Sequence, residues 1–314
     1  MLHIKNFLNH SLYDYDKQKA NLLKSILPFI IIVHHLANLK FEGIGKIGSL
    51  GDPAMYTFFA MSGYGLVVSY KKNVEYINGF LRRSLPKLFI PYFIALVLFV
   101  VYRYIEGIDQ FELLRTKGLF SFVPTSWFIY ILSLFYIFFF VCFKFIKSNI
   151  VIKTVFTAIL VIGYCFFAHY IGVSPWRYYR CPAFIVGMLF ALCDESIKLN
   201  FIRWHILVVV GLLMCLIMLP FGHRFDFFYY PSIVFLVMYS LRGGGLRVVK
   251  FFSSISLEMF IIQFIPIYVV TNHIISGKTY ISTLIVVPLV FVLDVLLALI
   301  MHKMIGFIKH VIYL

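Results

Sequence analysis

The chain has 314 residues, 62% of them hydrophobic and only 13% charged, and its mean hydropathy is positive. An apolar share of that size excludes an ordinary water-soluble domain. The formal net charge of +15 raises nucleic acid as a partner, but the cations lie in short connections between apolar runs, where membrane topology puts them. The chain reads as a polytopic membrane protein in contact with the lipid bilayer, with no nucleic-acid partner. Apolar runs reach from Leu22 to the end, so residues 1–314 are read as one membrane domain.

The segment before Leu22 carries no apolar h-region with a small-residue cleavage site, so the first span is expected to act as its own targeting signal. A bilayer core takes roughly 20 helical residues. That window predicts an all-α bundle of about ten transmembrane helices, at 22–39, 54–70, 88–104, 126–143, 151–171, 180–196, 205–220, 227–241, 255–272 and 281–302. The eighth is the shortest and is opened by Tyr229, Tyr230 and Pro231.

Charge in the connections tests the order. With the N-terminus inside, 19 Lys and Arg residues fall on the cytoplasmic side and 9 on the other, the imbalance that topogenesis favours. Both termini are therefore expected in the cytoplasm, and the chain in the cell membrane as a multi-pass protein. The longest polar connection, Tyr104 to Ser126, is expected outside. The cysteines sit in or beside apolar runs without a CxxC pair, which points to packing rather than to a metal site.

Ionisable groups inside spans are costly and face a cavity or a partner. In the first span Lys24 and His35 stand 11 residues apart, close to three turns and about 16 Å, on nearly one face, with His34 rotated by roughly 100°. A neutral imidazole there suits a general base, and equally it suits a hydrogen bond within the bundle. Ser62 and Gly63 in the second span are small enough for close helix contact. Before the third span Arg82, Arg83 and Lys87 form a cluster that serves as a positive-inside anchor and also has the chemistry to grip phosphates.

Together Lys24-x10-His35, the phrase FFAMSG (Phe58 to Gly63) and the basic run leading into IPY resemble acyltransferase family 3. SWFIYILSLFY, YRCPAFIVGMLFA and ISLEMFIIQFIP follow in the family's order. The resemblance implies a membrane O-acyltransferase that moves an acyl group, most commonly acetyl from acetyl-CoA, to a hydroxyl of a cell-envelope or exported glycan, with no metal. It implies His35, rather than His34, as the essential histidine, and Lys24, Arg82, Arg83 and Lys87 as the cations that hold acyl-CoA. Ser62 is carried as a candidate hydrogen-bond donor. Gln263 stands where many members have histidine, Pro86 interrupts the basic motif, and no hydrolase-like domain is attached. The rivals are a glycan or lipid transporter, or a non-catalytic scaffold of the same fold. Partners implied are acyl-CoA, a glycan or lipid-linked saccharide acceptor and glycan assembly proteins.

Overall fold

The computed structural model describes residues 17–109, 112, 122–199, 226–240, 246–275 and 277–313. Among these no strand occurs, and the architecture is all-helical. The principal helices are α1 Lys17–Asn38, α2 Gly51–Lys72, α3 Phe80–Ile105, α4 Ser126–Phe145, α5 Ile150–Tyr170, α6 Ala183–Leu199, α7 Asp226–Ser240, α8 Arg247–Ser254, α9 Ser256–Ile262, α10 Phe264–Val269 and α11 Tyr280–Tyr313. Eight of the ten expected spans fall on one of these helices each, the one at 255–272 falls on several shorter segments, and the one at 205–220 lies outside the described residues.

Among the described residues five helices are long and apolar enough to cross a bilayer: α1, α3, α4, α5, and α11 over Tyr280–Val311. The expected span at 255–272 is instead broken, α9 meeting the segment 264–274 at a bend of 43°, and counts as a sixth if the pair is one crossing. α6 and α7 are described over 17 and 15 residues. α2 is diluted by Gly, Ser, Thr and Tyr.

Local chemistry sets the boundaries. Lys40, with φ of 65°, ends the turn after α1 in the left-handed region, a conformation that costs a non-glycine residue about 1–2 kcal/mol. Asn149 caps α5 by accepting from the Ile152 amide at 2.9 Å, meeting one donor that the first turn leaves unpaired. Gly43 also takes a positive φ, of 82°, and a Cβ there would come within 2.7 Å of the Tyr280 ring.

The chain folds as two compact units, each drawn from distant parts of the sequence: residues 1–23, 52–80 and 135–246 form unit 1, and 24–51, 81–134 and 247–314 form unit 2. In unit 1 the ring of Phe135 contacts Phe59 at 6.0 Å and Phe184 at 5.3 Å. Here α2 and α6 touch backbone to backbone. A Cβ on Gly63 would overlap the Phe184 carbonyl, and one on Gly187 would overlap that of Ala60. Small residues permit this approach, and packing then replaces the hydrophobic drive that lipid does not supply.

Unit 2 has two apolar clusters. One joins Ile32 and Leu36 of α1 to Ile267, Val270, Val286 and Val290. The other joins Ile255, Met259 and Ala298, with Phe29 packed on them. Progress along α1 thus parallels progress from α9 to α10, while α11 runs the other way.

Candidate functional site

On α1, Lys24 is exposed and His35 is half-buried about 16 Å further on. The adjacent histidines meet edge to face at 5.2 Å and differ in their other partners. His34 Nδ1 lies 2.6 Å from the Gly48 carbonyl and is therefore the donor, leaving Nε2 to accept from Asn38 Nδ2 at 3.1 Å. Both ring nitrogens are occupied, in a neutral tautomer. The loop that supplies Gly48 can reach α1 because its glycines lack a Cβ: at Gly51 that atom would overlap the His34 ring, and at Gly48 the Ala37 side chain. His35 lies against the other side, its ring centroid 4.4 Å from that of Phe264.

The cations are all exposed and belong to unit 2. Arg83 and Lys87, four residues apart on α3, share a helix face, whereas Arg82 is rotated from it. Near the far end of α3, Tyr102 stacks on Tyr268 of α10 at 6.3 Å, and Glu106 accepts from His273 Nε2 at 2.8 Å. Tyr268 is one turn beyond Phe264, the neighbour of His35. Counting back at 1.5 Å per residue puts Lys87 and Lys24 at nearly the same axial level, roughly 16 Å from the His35 level, with Arg83 and Arg82 about a turn further out. Three of the four cations also have proline at i+4: Pro28 after Lys24, Pro86 after Arg82 and Pro91 after Lys87. Each proline withholds the amide that would pair with the cation's own carbonyl and bends the helix there. Pro86 therefore interrupts the motif in sequence without ending the helix that carries it.

Ser62 belongs to unit 1, where its hydroxyl donates to the Phe58 carbonyl at 3.0 Å. That bond back to its own helix, beside the Gly63 contact, accounts for a packing role.

A model of acyltransferase family 3, described as an acyltransferase domain, matches residues 18–303. The chain belongs to this family. No curated protein and no solved structure matches it.

As a membrane acyltransferase of family 3, the chain carries its most unusual interior chemistry at the level of the helix break. Gln263 is fully buried; its Nε2 donates to the Phe260 carbonyl at 2.8 Å, while its Oε1 meets no donor. Asp294, also fully buried, has neither oxygen paired. It interrupts the buried stripe Val286, Val290, Ala298, Met301 and Ile305 of α11. Met259 shares an apolar cluster with Ala298, and Ile267 shares another with Val290, so Gln263 and Asp294, each midway between those positions, stand at nearly one level of the acyltransferase fold.

Two of these features were absent from the sequence-derived site. Asp294 had a signal in the sequence, being the sole acid within the last apolar run. Phe264 had none, since one aromatic in a run that also holds Phe260 and Tyr268 marks no partner. Among the described residues no group of three or more His, Cys, Asp or Glu side chains could hold a metal ion.

Proposed function

We propose that this membrane acyltransferase is an O-acetyltransferase of the cell membrane, moving acetyl from acetyl-CoA to a hydroxyl of a cell-envelope or exported glycan. The observation that supports it most is the half-buried His35, three turns along α1 from the cation level shared by Lys24 and Lys87. We take the bundle as ten spans with both termini cytoplasmic, so that the cation level faces the cytosolic donor. Assembly proteins that deliver the glycan belong to the same reading.

In this reading Lys24, Arg82, Arg83 and Lys87 hold the phosphates of acetyl-CoA, guanidinium groups offering paired donors that an ammonium lacks. The pantetheine arm, a chain long enough to cover about 16 Å, extends along α1 toward His35. His35 removes the proton from the acceptor hydroxyl as the oxygen bonds to the thioester carbonyl carbon. Collapse of the tetrahedral intermediate breaks the C–S bond, and the departing thiolate takes the proton from the imidazolium. The exchange is balanced in atoms and charge and uses no metal.

His35→Ala at matched membrane levels tests the reading: O-acetylation of the glycan should fall by about 10²-fold or more, the usual contribution of a positioned base. Undiminished acetylation removes His35 from the chemistry.

The break at Gln263 favours a second reading, a transporter in which a discontinuous helix lines the path. Labelled acetyl-CoA separates the two: label in the product supports transfer, and saccharide movement without label supports transport.

A further inference from the structure

The two ends of unit 1 differ in chemistry. At one, Lys71 and Lys72 close α2, Lys144 donates to Asn78, and Lys153 donates to the Tyr70 hydroxyl at 2.8 Å. At the other, about 30 Å away along a helix of this length, three separate segments converge. Asp52 at the start of α2 accepts from Arg180. One turn along, Tyr56 stacks on Tyr230 of α7 at 6.1 Å with rings 12° from parallel, and Asp226 opens α7 one turn before Tyr230. The one-turn helix Pro175–Tyr178 contributes Trp176, whose ring has the guanidinium of Arg177 at 5.0 Å and that of Arg180 at 5.7 Å.

This end is accessible. Trp176 is 44% exposed and the Asp52 side chain 48% exposed. Arg177 Nε is buried and meets no acceptor. Aromatic faces, acceptor-only carboxylates and donor-only guanidinium groups thus stand side by side.

We infer that this end of unit 1 is a saccharide-binding site, with Trp176, Arg177, Asp52 and Asp226 as its principal contacts. A pyranose has an apolar C–H face and a rim of hydroxyls that both donate and accept. The C–H face packs on Trp176, the carboxylates accept from hydroxyls in charge-assisted bonds, and Arg177 Nε donates to a hydroxyl or ring oxygen. A phosphate or an anionic lipid surface fits less well, because Asp52 and Asp226 repel it. The opposite end carries the lysines, so the positive-inside bias puts the saccharide end outside the cytoplasm, where an exported glycan is met. Its further assignment as the acceptor site rests on the acetyltransferase reading.

The test uses the full chain in lipid nanodiscs and, as probe, oligosaccharides released by mild acid from the envelope glycan of the cell that makes the protein. Wild type should show saturable quenching of tryptophan fluorescence, lost in Trp176→Phe and weakened at least tenfold in Asp226→Asn. The midpoint for Trp176→Tyr, read by calorimetry, should stay within a few-fold. Absence of saturable binding in wild type, or quenching unaltered in Trp176→Phe, overturns the site. In the transfer assay, Asp226→Asn should raise the KM for saccharide at least tenfold and leave that for acetyl-CoA unchanged; an unchanged saccharide KM overturns the acceptor assignment. Binding intact but no CoA release from wild type keeps the site and overturns the acetyltransferase reading.

Discussion

The His35 ring rests 4.4 Å from the ring of Phe264, the first residue after the break between α9 and α10. The imidazole is thereby oriented by a residue 229 positions away in sequence, at the point where the helix changes direction. An aromatic pair of this kind is worth about 0.5–1.5 kcal/mol beyond its buried area. Phe264→Leu should therefore lower kcat for glycan acetylation by up to about tenfold while leaving KM for acetyl-CoA within a few-fold, and Phe264→Tyr should retain most activity. Equal rates for Phe264→Leu and wild type would detach this ring from the chemistry.

His34 has a different task. Its Nδ1 ties the loop before α2 to α1 by donating to the Gly48 carbonyl, while its Nε2 accepts from Asn38 one turn along α1 itself. His34→Ala should cost about 1 kcal/mol of stability, as loss of a hydrogen bond does, and should speed proteolysis near Gly45. It should leave transfer far less impaired than His35→Ala. A loss of transfer as deep as that of His35→Ala would reverse the assignment of the two rings.

The cations should act on donor binding. Lys87→Ala should raise the KM for acetyl-CoA several-fold and flatten its dependence on salt, because screening acts on the interaction that the lysine supplied. Lys24→Arg should be tolerated, since the charge and its level on α1 persist. A kcat effect without any change in donor KM would exclude phosphate binding at these positions.

Asp294 is a cost to the fold, because a buried carboxyl with no partner forfeits its hydration without replacement. Asp294→Leu should therefore raise thermal stability by about 1–3 kcal/mol. Polar groups retained against stability belong to function more often than to packing, so the same variant should transfer acetyl more slowly. A variant both no more stable and fully active would deny Asp294 either role.

Much of this was legible in the sequence and some was not, for physical reasons. Apolar runs fix helices because lipid leaves the backbone no other partner, and the five membrane-length helices accordingly fall on expected runs. The Lys24 to His35 separation could be read from helical rise alone. The break at Gln263 could not: ISLEMFIIQFIP is as apolar as an unbroken span, and its direction depends on what α11 and α1 pack against it. The environments of His34 and His35 were equally hidden, since they depend on Gly48, Gly51 and Phe264, which only folding brings to α1. Asp294 could have been singled out as an ion in a membrane helix, although its lack of a partner is a fact of packing.

The glycine contact between α2 and α6 has a mechanical consequence. Gly63 and Gly187 set each helix against a carbonyl of the other, so a slide of one residue along the seam would drive a side chain into peptide backbone. The two helices cannot shear past one another. They move as one thick rod, and a spectroscopic label on either would report the motion of both.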